Sequence, residues 1–275
     1  MFFEKMLEYQ KKLQRGHFMD YQNCRLCPRQ CGADRQAGET GFCGCPATAL
    51  VAKAMLHKWE EPVLAGPGGS GAVFFGGCTL RCCYCQNAAI SGRPAGQTVD
   101  SAGLRRIFEE LIAQGAENID LVTPTQFLPT VLPALEPRLP VPVVYNCGGY
   151  ERVETLKELE GKVDIYLPDL KYADGTLAAA LSGAGDYFSV AAEAIREMVR
   201  QTGPVQWRGE KIVRGTVIRH LILPGQVENS LKVLDWIGET FAPGTVLVSL
   251  MRQYSRLWTG GSQTKNMTPS SAGCS

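Results

Sequence analysis

The chain has 275 residues, 45% of them hydrophobic and 20% charged, with a formal net charge of +1. That is ample for a sizeable core in one globular domain with a small appendage, and without a basic run it gives no reason to expect nucleic acid or an anionic membrane as partner. The first stretch, MFFEKMLEYQKKLQRGHF, carries charges throughout and lacks a continuous apolar core. It reads as neither signal peptide nor membrane span, so a cytoplasmic protein is expected.

In chain order, residues 2–20 read as a short amphipathic helix with Phe2, Met6, Leu7 and Leu13 on its apolar face. A turn-rich segment follows, CRLCPRQCGADRQAGETGFCGC (24–45). From about residue 70, short apolar runs alternate with helical patterns: AVFF (72–75), IDLV (119–122), VPVVY (141–145), VDIYL (163–167), VIRHLIL (217–223) and TVLVSL (245–250). A helix lies between the first two, capped by Asp100 or Ser101, with Leu104, Ile107, Phe108, Leu111 and Ile112 at helical spacing and Gly115 at its end. Weaker helical patterns occupy 151–160, 186–202 and 229–241, and the prolines of 128–140 leave room for only a short helix. Six βα-like units in series imply a parallel sheet, as a barrel or an open doubly wound sheet. In both, functional groups gather where the strands end. The final stretch, 259–275, has no periodicity and reads as a disordered tail. The expected division is 1–50 (helix and cysteine-rich metal-binding segment), 51–258 (α/β unit) and 259–275 (tail).

Nine of the eleven cysteines fall between Cys24 and Cys85, in two clusters. With no export signal, such spacing points to metal and away from a disulfide framework. In the second cluster, FFGGCTLRCCYCQN, Cys78, Cys82 and Cys85 follow the first predicted parallel strand as C-x3-C-x2-C. Three thiolates can wrap one [4Fe–4S] cube and leave one iron open, where four would close it for electron transfer. The cofactor that exploits an open iron is S-adenosylmethionine, chelated through its amino and carboxylate groups. A structural zinc site would bring its ligands from two separated knuckles, and none lies close downstream. Cys83 breaks the spacing and reads as a neighbour, while Tyr84 reads equally as packing beside an adenine or as simple loop packing.

In the first cluster, Cys24-x2-Cys27-x3-Cys31 and then Cys43 supply four thiolates, with Cys45 competing for the last place. Four suit structural zinc or a second iron–sulfur cluster. The glycines of GPGGSG (66–71) lack the Lys-Ser/Thr pair of a phosphate loop and precede the strand. His57, Glu60 and Glu61 form a polar knot, read first as a solvated turn and second as an acid–base group. Of Arg219 and His220 in the fifth run, alternation sends one inward.

The stretch 57–87, the CRLCPRQCG start, DLVTPTQFLP and LILPG together resemble the radical S-adenosylmethionine proteins related to pyruvate formate-lyase activating enzyme, in particular the PflX-like branch. The likeness covers about 21–254. It implies a partial (β/α)6 TIM-like barrel with a small N-terminal cysteine-rich metal-binding segment, and a cluster after the first strand. It implies an oxidoreductase that reductively cleaves S-adenosylmethionine to a 5′-deoxyadenosyl radical for hydrogen abstraction, with flavodoxin or ferredoxin as electron donor. The target would be a backbone glycine of a partner enzyme, another protein or a small molecule; a non-catalytic electron carrier is the alternative, needing Cys83 or Cys147 as fourth ligand. Relatives hold methionine with Gly-Gly-Glu after the second strand, where this chain has Thr123-Pro124-Thr125-Gln126. Thr123, Thr125 or Gln126 would substitute as donors. Asn146 stands where the family places a ribose-binding or polar residue, and Asp169 and Lys171 match its Asp-x-Lys stretch, with the lysine suited to the methionyl carboxylate.

Overall fold

The computed structural model describes residues 19–254; the expected N-terminal helix falls almost wholly, and the tail wholly, outside them. Each of the six apolar runs becomes a strand. They are β2 (Ser70–Phe75), β4 (Ile119–Val122), β5 (Val143–Cys147), β6 (Ile165–Pro168), β8 (Lys211–Leu221) and β9 (Leu247–Met251). Neighbours in this series pair in parallel, so β2-β4-β5-β6-β8-β9 runs in chain order with none of the reversal of a doubly wound sheet. Among the described residues β9 pairs with β8 alone, which leaves one side of the arrangement open.

Three strands have no counterpart in the sequence reading. β1 (Ala49–His57) pairs antiparallel with β2 and with β3 (Gln97–Val99), and β7 (Gln206–Arg208) folds back on β8. β1 reads ALVAKAMLH, whose alanines, leucines, methionine and lysine favour helix. Cross-strand pairing with the apolar β2 overrides that preference.

Helices cover one face of the sheet: α1 (Ala88–Ser91), α2 (Ser101–Ala113), α3 (Leu128–Ala134), α4 (Val153–Lys157), α5 (Gly175–Ser182), α6 (Tyr187–Thr202) and α7 (Val227–Thr240). Asp100 caps α2, accepting from Gly103 N at 2.7 Å, and satisfies a donor that the first helical turn leaves free. On this face Val73, Phe75, Leu121, Tyr145, Tyr166 and Ile218 pack against Leu104, Phe108, Leu156 and Met198 in the main core.

The opposite face is layered by register. Ala72, Asp120, Val144 and Ile165 form one row; Phe74, Val122, Asn146, Leu167, Val217 and Leu247 the next; Asp169, Arg219 and Ser249 the last. Its lower part is sealed by Leu64, which packs with Val144, Ile165, Leu167 and Val217. Leu64 belongs to the connection from β1 to β2, and this connection spans the open side. Val63 O accepts from Ile212 N of β8 at 3.0 Å, and Glu61 accepts from Ser249 of β9 at 3.0 Å. The GPGGSG glycines serve that path. A Cβ on Gly68 would lie 2.1 Å from the Gly115 carbonyl oxygen, and Gly68 N donates to Glu117. Close backbone approach explains the glycines without a phosphate.

Candidate metal centre and cavity

β2 ends at Phe75, and Gly76-Gly77 turns the chain into the cysteine loop. Gly77 has φ +76°, and a Cβ there would meet Cys45 Sγ at 2.2 Å, so only glycine fits. The Gln126 amide fixes this turn, donating to Gly76 O, Gly77 O and Thr123 O at 2.8–3.2 Å. Two tight turns follow, Cys85 N to Cys82 O and Ala88 N to Cys85 O, both 3.1 Å.

Cys78, Cys82 and Cys85 are half-buried, and each sulfur faces a donor. Leu80 N points at Cys78 (3.4 Å), Ser182 Oγ at Cys82 (2.9 Å) and Ser91 Oγ at Cys85 (3.4 Å). Burial, then the charges of Cys82 and Cys85, push the Cys78 thiol up to about 11. Three soft donors with hydrogen-bond support, held close enough to repel one another, fit a thiolate-bound cluster that would take up that negative charge. Cys147 does not complete the set. It lies in the helix-side core, hydrogen-bonded to Glu151, while its neighbour Asn146 faces the cavity. Cys83 is exposed and its backbone N donates to Leu181 O at 3.0 Å.

Cys82, Tyr84 and Cys85 open onto a cavity of 590 Å³ bounded by the last two rows of the sheet and by the segment 59–62. In it Arg219 ties three strand ends together. Its Nε donates to Asp169 Oδ1 (2.9 Å), its Nη2 to Asn146 Oδ1 (2.7 Å), and its Nη1 stands 3.6 Å from Glu60 Oε1. Lys171 Nζ donates to Asp169 Oδ2 at 2.5 Å. Burial opposes charge on Lys171, but Asp169 and then the Cys82 sulfur outweigh it and hold its pKa well above the ordinary value. Burial would likewise raise Asp169, yet Arg219 and Lys171 keep it below the usual carboxylate range.

Asn146, Asp169, Lys171 and Tyr84 from the sequence reading thus meet in one cavity with two of the three cysteines. Tyr84 OH lies 2.7 Å from Tyr172 OH, which lies 2.7 Å from Ser182 Oγ. Thr123 sits at the end of β4 with φ +58°. Thr125 turns to the helix side, donating to Glu151 at 2.8 Å. Arg219 takes the inward position, and His220 is buried among the helices between Leu170 O (2.6 Å) and Ser230 Oγ (2.8 Å). Glu60, first read as part of a solvated turn, has a side chain only 11% exposed and faces Arg219. Ser91, Ser182 and Glu151 carried no spacing that would have marked them.

Glu151 is 2% exposed, and burial pushes its carboxyl up to about 8 against the bonds from Thr125, Tyr145 and Cys147. The folded chain therefore keeps a proton that the unfolded chain loses near pH 4.5. Stability present below that pH drains away as pH rises to about 8, by a few kcal/mol at most. Glu151→Gln keeps an acceptor for Thr125 and has no proton to lose. Thermal melts from pH 5 to 9 should show a shallower fall for the variant, and parallel curves would refute the assignment.

The N-terminal cysteines lie against this loop. Arg29 donates to Thr79 O (3.0 Å), Ser182 O (2.9 Å) and Gly183 O (2.5 Å), and the buried Arg35 to Cys45 O (3.0 Å), Gln126 O (2.7 Å) and Pro46 O (2.5 Å). Burial raises Cys24, with Cys31 adding to it, and pushes Cys27 up to about 12, with Cys43 and Cys24 adding to it. Cys24, Cys27, Cys31 and Cys43 are therefore electrostatic neighbours. A hydrogen bond from Cys45 lowers Cys43 to about 6. One zinc would hold thiolates within about 4 Å of one another. Among the described residues no three His, Cys, Asp or Glu side chains converge on a single ion, whereas a cube spreads its ligands more widely. No described helix is long and apolar enough to cross a membrane.

One comparison with known proteins bears on the cluster. Residues 64–126 match the model of a 4Fe-4S single cluster domain. The uncharacterized protein MJ0674 of Methanocaldococcus jannaschii is 28% identical over 244 residues, 85% of this chain and 66% of that protein. Among solved structures, SuiB of Streptococcus suis matches with a TM-score of 0.48 and 16% identity over 72% of this chain and 41% of its own. SuiB bound to the precursor peptide SuiA gives 0.47 and 15%, over 65% and 37%. The chain thus spans just under two thirds of MJ0674 and about two fifths of SuiB.

Proposed function

We propose that this chain is a radical S-adenosylmethionine enzyme on a partial (β/α)6 barrel, related to the activating enzymes of the PflX-like branch. The observation that carries it is the number and spacing of the thiols beside the cavity. Three cysteines at C-x3-C-x2-C spacing stand after the first parallel strand, two of them open onto the cavity, and among the described residues no further cysteine lines it. Cys78, Cys82 and Cys85 would hold the [4Fe–4S] cluster and leave one iron to S-adenosylmethionine. When bound, cluster and cofactor together supply an electron to the sulfonium and a 5′-deoxyadenosyl radical for hydrogen abstraction.

The chain's own residues bind and orient. Lys171, charged and beside Cys82, suits the methionyl carboxylate; Asn146 offers an amide to the ribose; Tyr84 presents an aromatic face to the adenine. Asp169 holds Lys171 in place and Arg219 holds Asp169, so the cofactor would meet side chains already set in position. Cys24, Cys27, Cys31 and Cys43 form a second thiolate set of structural purpose, for zinc or a further cluster. Flavodoxin or ferredoxin would supply the electron in the cytoplasm, and a partner protein, with a glycine as one target, or a small molecule would receive the radical. The carrier alternative needs Cys83 or Cys147 as a fourth thiolate; Cys147 is turned into the helix-side core, and the exposed Cys83 is not among the residues that line the cavity.

The test is anaerobic reconstitution with iron and sulfide, followed by dithionite and S-adenosylmethionine. Formation of 5′-deoxyadenosine is expected. An intact cluster that never cleaves the cofactor would establish the carrier instead.

A further inference from the structure

The Cys82 sulfur stands at the end of a chain of hydroxyl groups drawn from three separate elements. Ser182, the last residue of α5, places its Oγ 2.9 Å from Cys82 Sγ. Tyr172, in the connection after β6, places its OH 2.7 Å from Ser182 Oγ, and Tyr84 of the cysteine loop lies 2.7 Å beyond, OH to OH. All three residues are buried. The position of Ser182 is fixed from two sides through the backbone. Leu181 O accepts from Cys83 N at 3.0 Å, and Arg29 of the N-terminal segment donates to Ser182 O at 2.9 Å. The donors at Cys78 and Cys85, Leu80 N and Ser91 Oγ, are both more distant, at 3.4 Å.

The direction of this chain follows from its end. Each hydroxyl carries a single proton. A sulfur bound to iron as thiolate has only lone pairs to offer, so Ser182 donates to Cys82 and must accept from Tyr172. Tyr172, its proton committed to Ser182, accepts in turn from Tyr84. The three O–H groups then point one way, and in a buried setting each polarises the next toward the sulfur.

We propose that Ser182 and Tyr172 are positioning residues for electron uptake: their hydrogen-bonded chain draws charge from the Cys82 sulfur and raises the reduction potential of the cluster. This rests on the reading of Cys82 as a cluster ligand and deepens it, but needs no cleavage of S-adenosylmethionine. Reduction adds one electron to the cluster, and no bond forms or breaks. A donor at a ligand sulfur stabilises the more negative, reduced form, so its removal lowers the potential. Water admitted by a loosened loop stabilises the same form and raises it. The sign of the shift therefore separates a lost hydrogen bond from a disturbed fold.

The test is a redox titration of the full chain, reconstituted anaerobically and reduced with dithionite in the absence of S-adenosylmethionine. Electron paramagnetic resonance follows the signal that is missing when Cys78, Cys82 and Cys85 are all serine. In Ser182→Ala the ratio of reduced to oxidised cluster at a fixed potential should fall about tenfold, a midpoint lower by about 59 mV. Tyr172→Phe keeps the ring and the serine and should lower the ratio several-fold. Ser182→Thr keeps the hydroxyl and should restore the parent midpoint. Because Tyr172 acts through Ser182, the double variant Ser182→Ala with Tyr172→Phe should move no further than Ser182→Ala alone. Should Ser182→Ala fail to hold the cluster, the sign of the shift in Tyr172→Phe decides. A midpoint unmoved or raised, additive shifts in the double variant, or a loop that takes up no cluster would overturn the proposal. A cluster that shows the expected shifts yet never yields 5′-deoxyadenosine would sink the radical reading and leave this one standing.

Discussion

A chain in which Cys78, Cys82 and Cys85 are all serine is expected to lose the broad absorbance of the reconstituted cluster near 400 nm and to form no 5′-deoxyadenosine. The drop should be at least about a thousandfold, because among the described residues only cysteines of this loop open onto the cavity. Serine keeps the size and the hydrogen-bonding capacity of each side chain, so Leu80 N, Ser182 and Ser91 retain partners and the loop retains its turns. What goes is soft thiolate ligation, since a neutral hydroxyl is a poor ligand for cluster iron. The metal left in the triple variant isolates the first cluster. Residual iron or zinc would belong to Cys24, Cys27, Cys31 and Cys43, and finding neither would remove the second metal from the proposal. Full cleavage activity in the variant would remove the first.

The parallel strands were legible because strands covered on both faces become nearly continuous apolar runs, and the intervening helix kept its 3.6-residue period; β9 carries the same apolar run although its Val248 and Leu250 are exposed among the described residues. The cysteine loop was legible for a different reason: three ligands at short spacing are a local signal. The wall opposite was not, because its parts are distant in sequence. Glu60 meets Arg219 only after the β1–β2 connection crosses the open side, a path set by long-range contacts from Val63 to Ile212 and from Glu61 to Ser249. β1 hid behind helix-favouring residues for the same reason, since its structure comes from β2 and β3. Alternation put one of Arg219 and His220 inward. Which one depends on strand register, and the pairing of Asp169 with Arg219 decides it.

That pairing makes Arg219 the position where one substitution should destabilise most. Arg219→Met keeps length and apolar stem but removes the fork that joins Asp169, Asn146 and Glu60. Asp169 would keep only Lys171, and Glu60 and Asp120 would face each other with no cation between them. Breaking a buried charge network from one side destabilises by about 3–5 kcal/mol, because carboxylates are left uncompensated. Urea unfolding should show that loss as a lower midpoint. Arg219→Lys should recover only part of it, since an ammonium lacks the planar fork. The sign of a second change separates electrostatics from packing. If the loss is uncompensated charge, Glu60→Gln should raise the stability of Arg219→Met while lowering that of the parent, a coupling of about 1–3 kcal/mol. Additive losses would mean that Arg219 acts through its stem alone. Acid should act in the same direction as the arginine's removal. Asp169 is held below its unfolded value, so its contribution is present above about pH 4 and is lost as pH falls through the folded value. In Arg219→Met that value rises toward the ordinary range, and the acid limb of the stability profile should shift upward in pH.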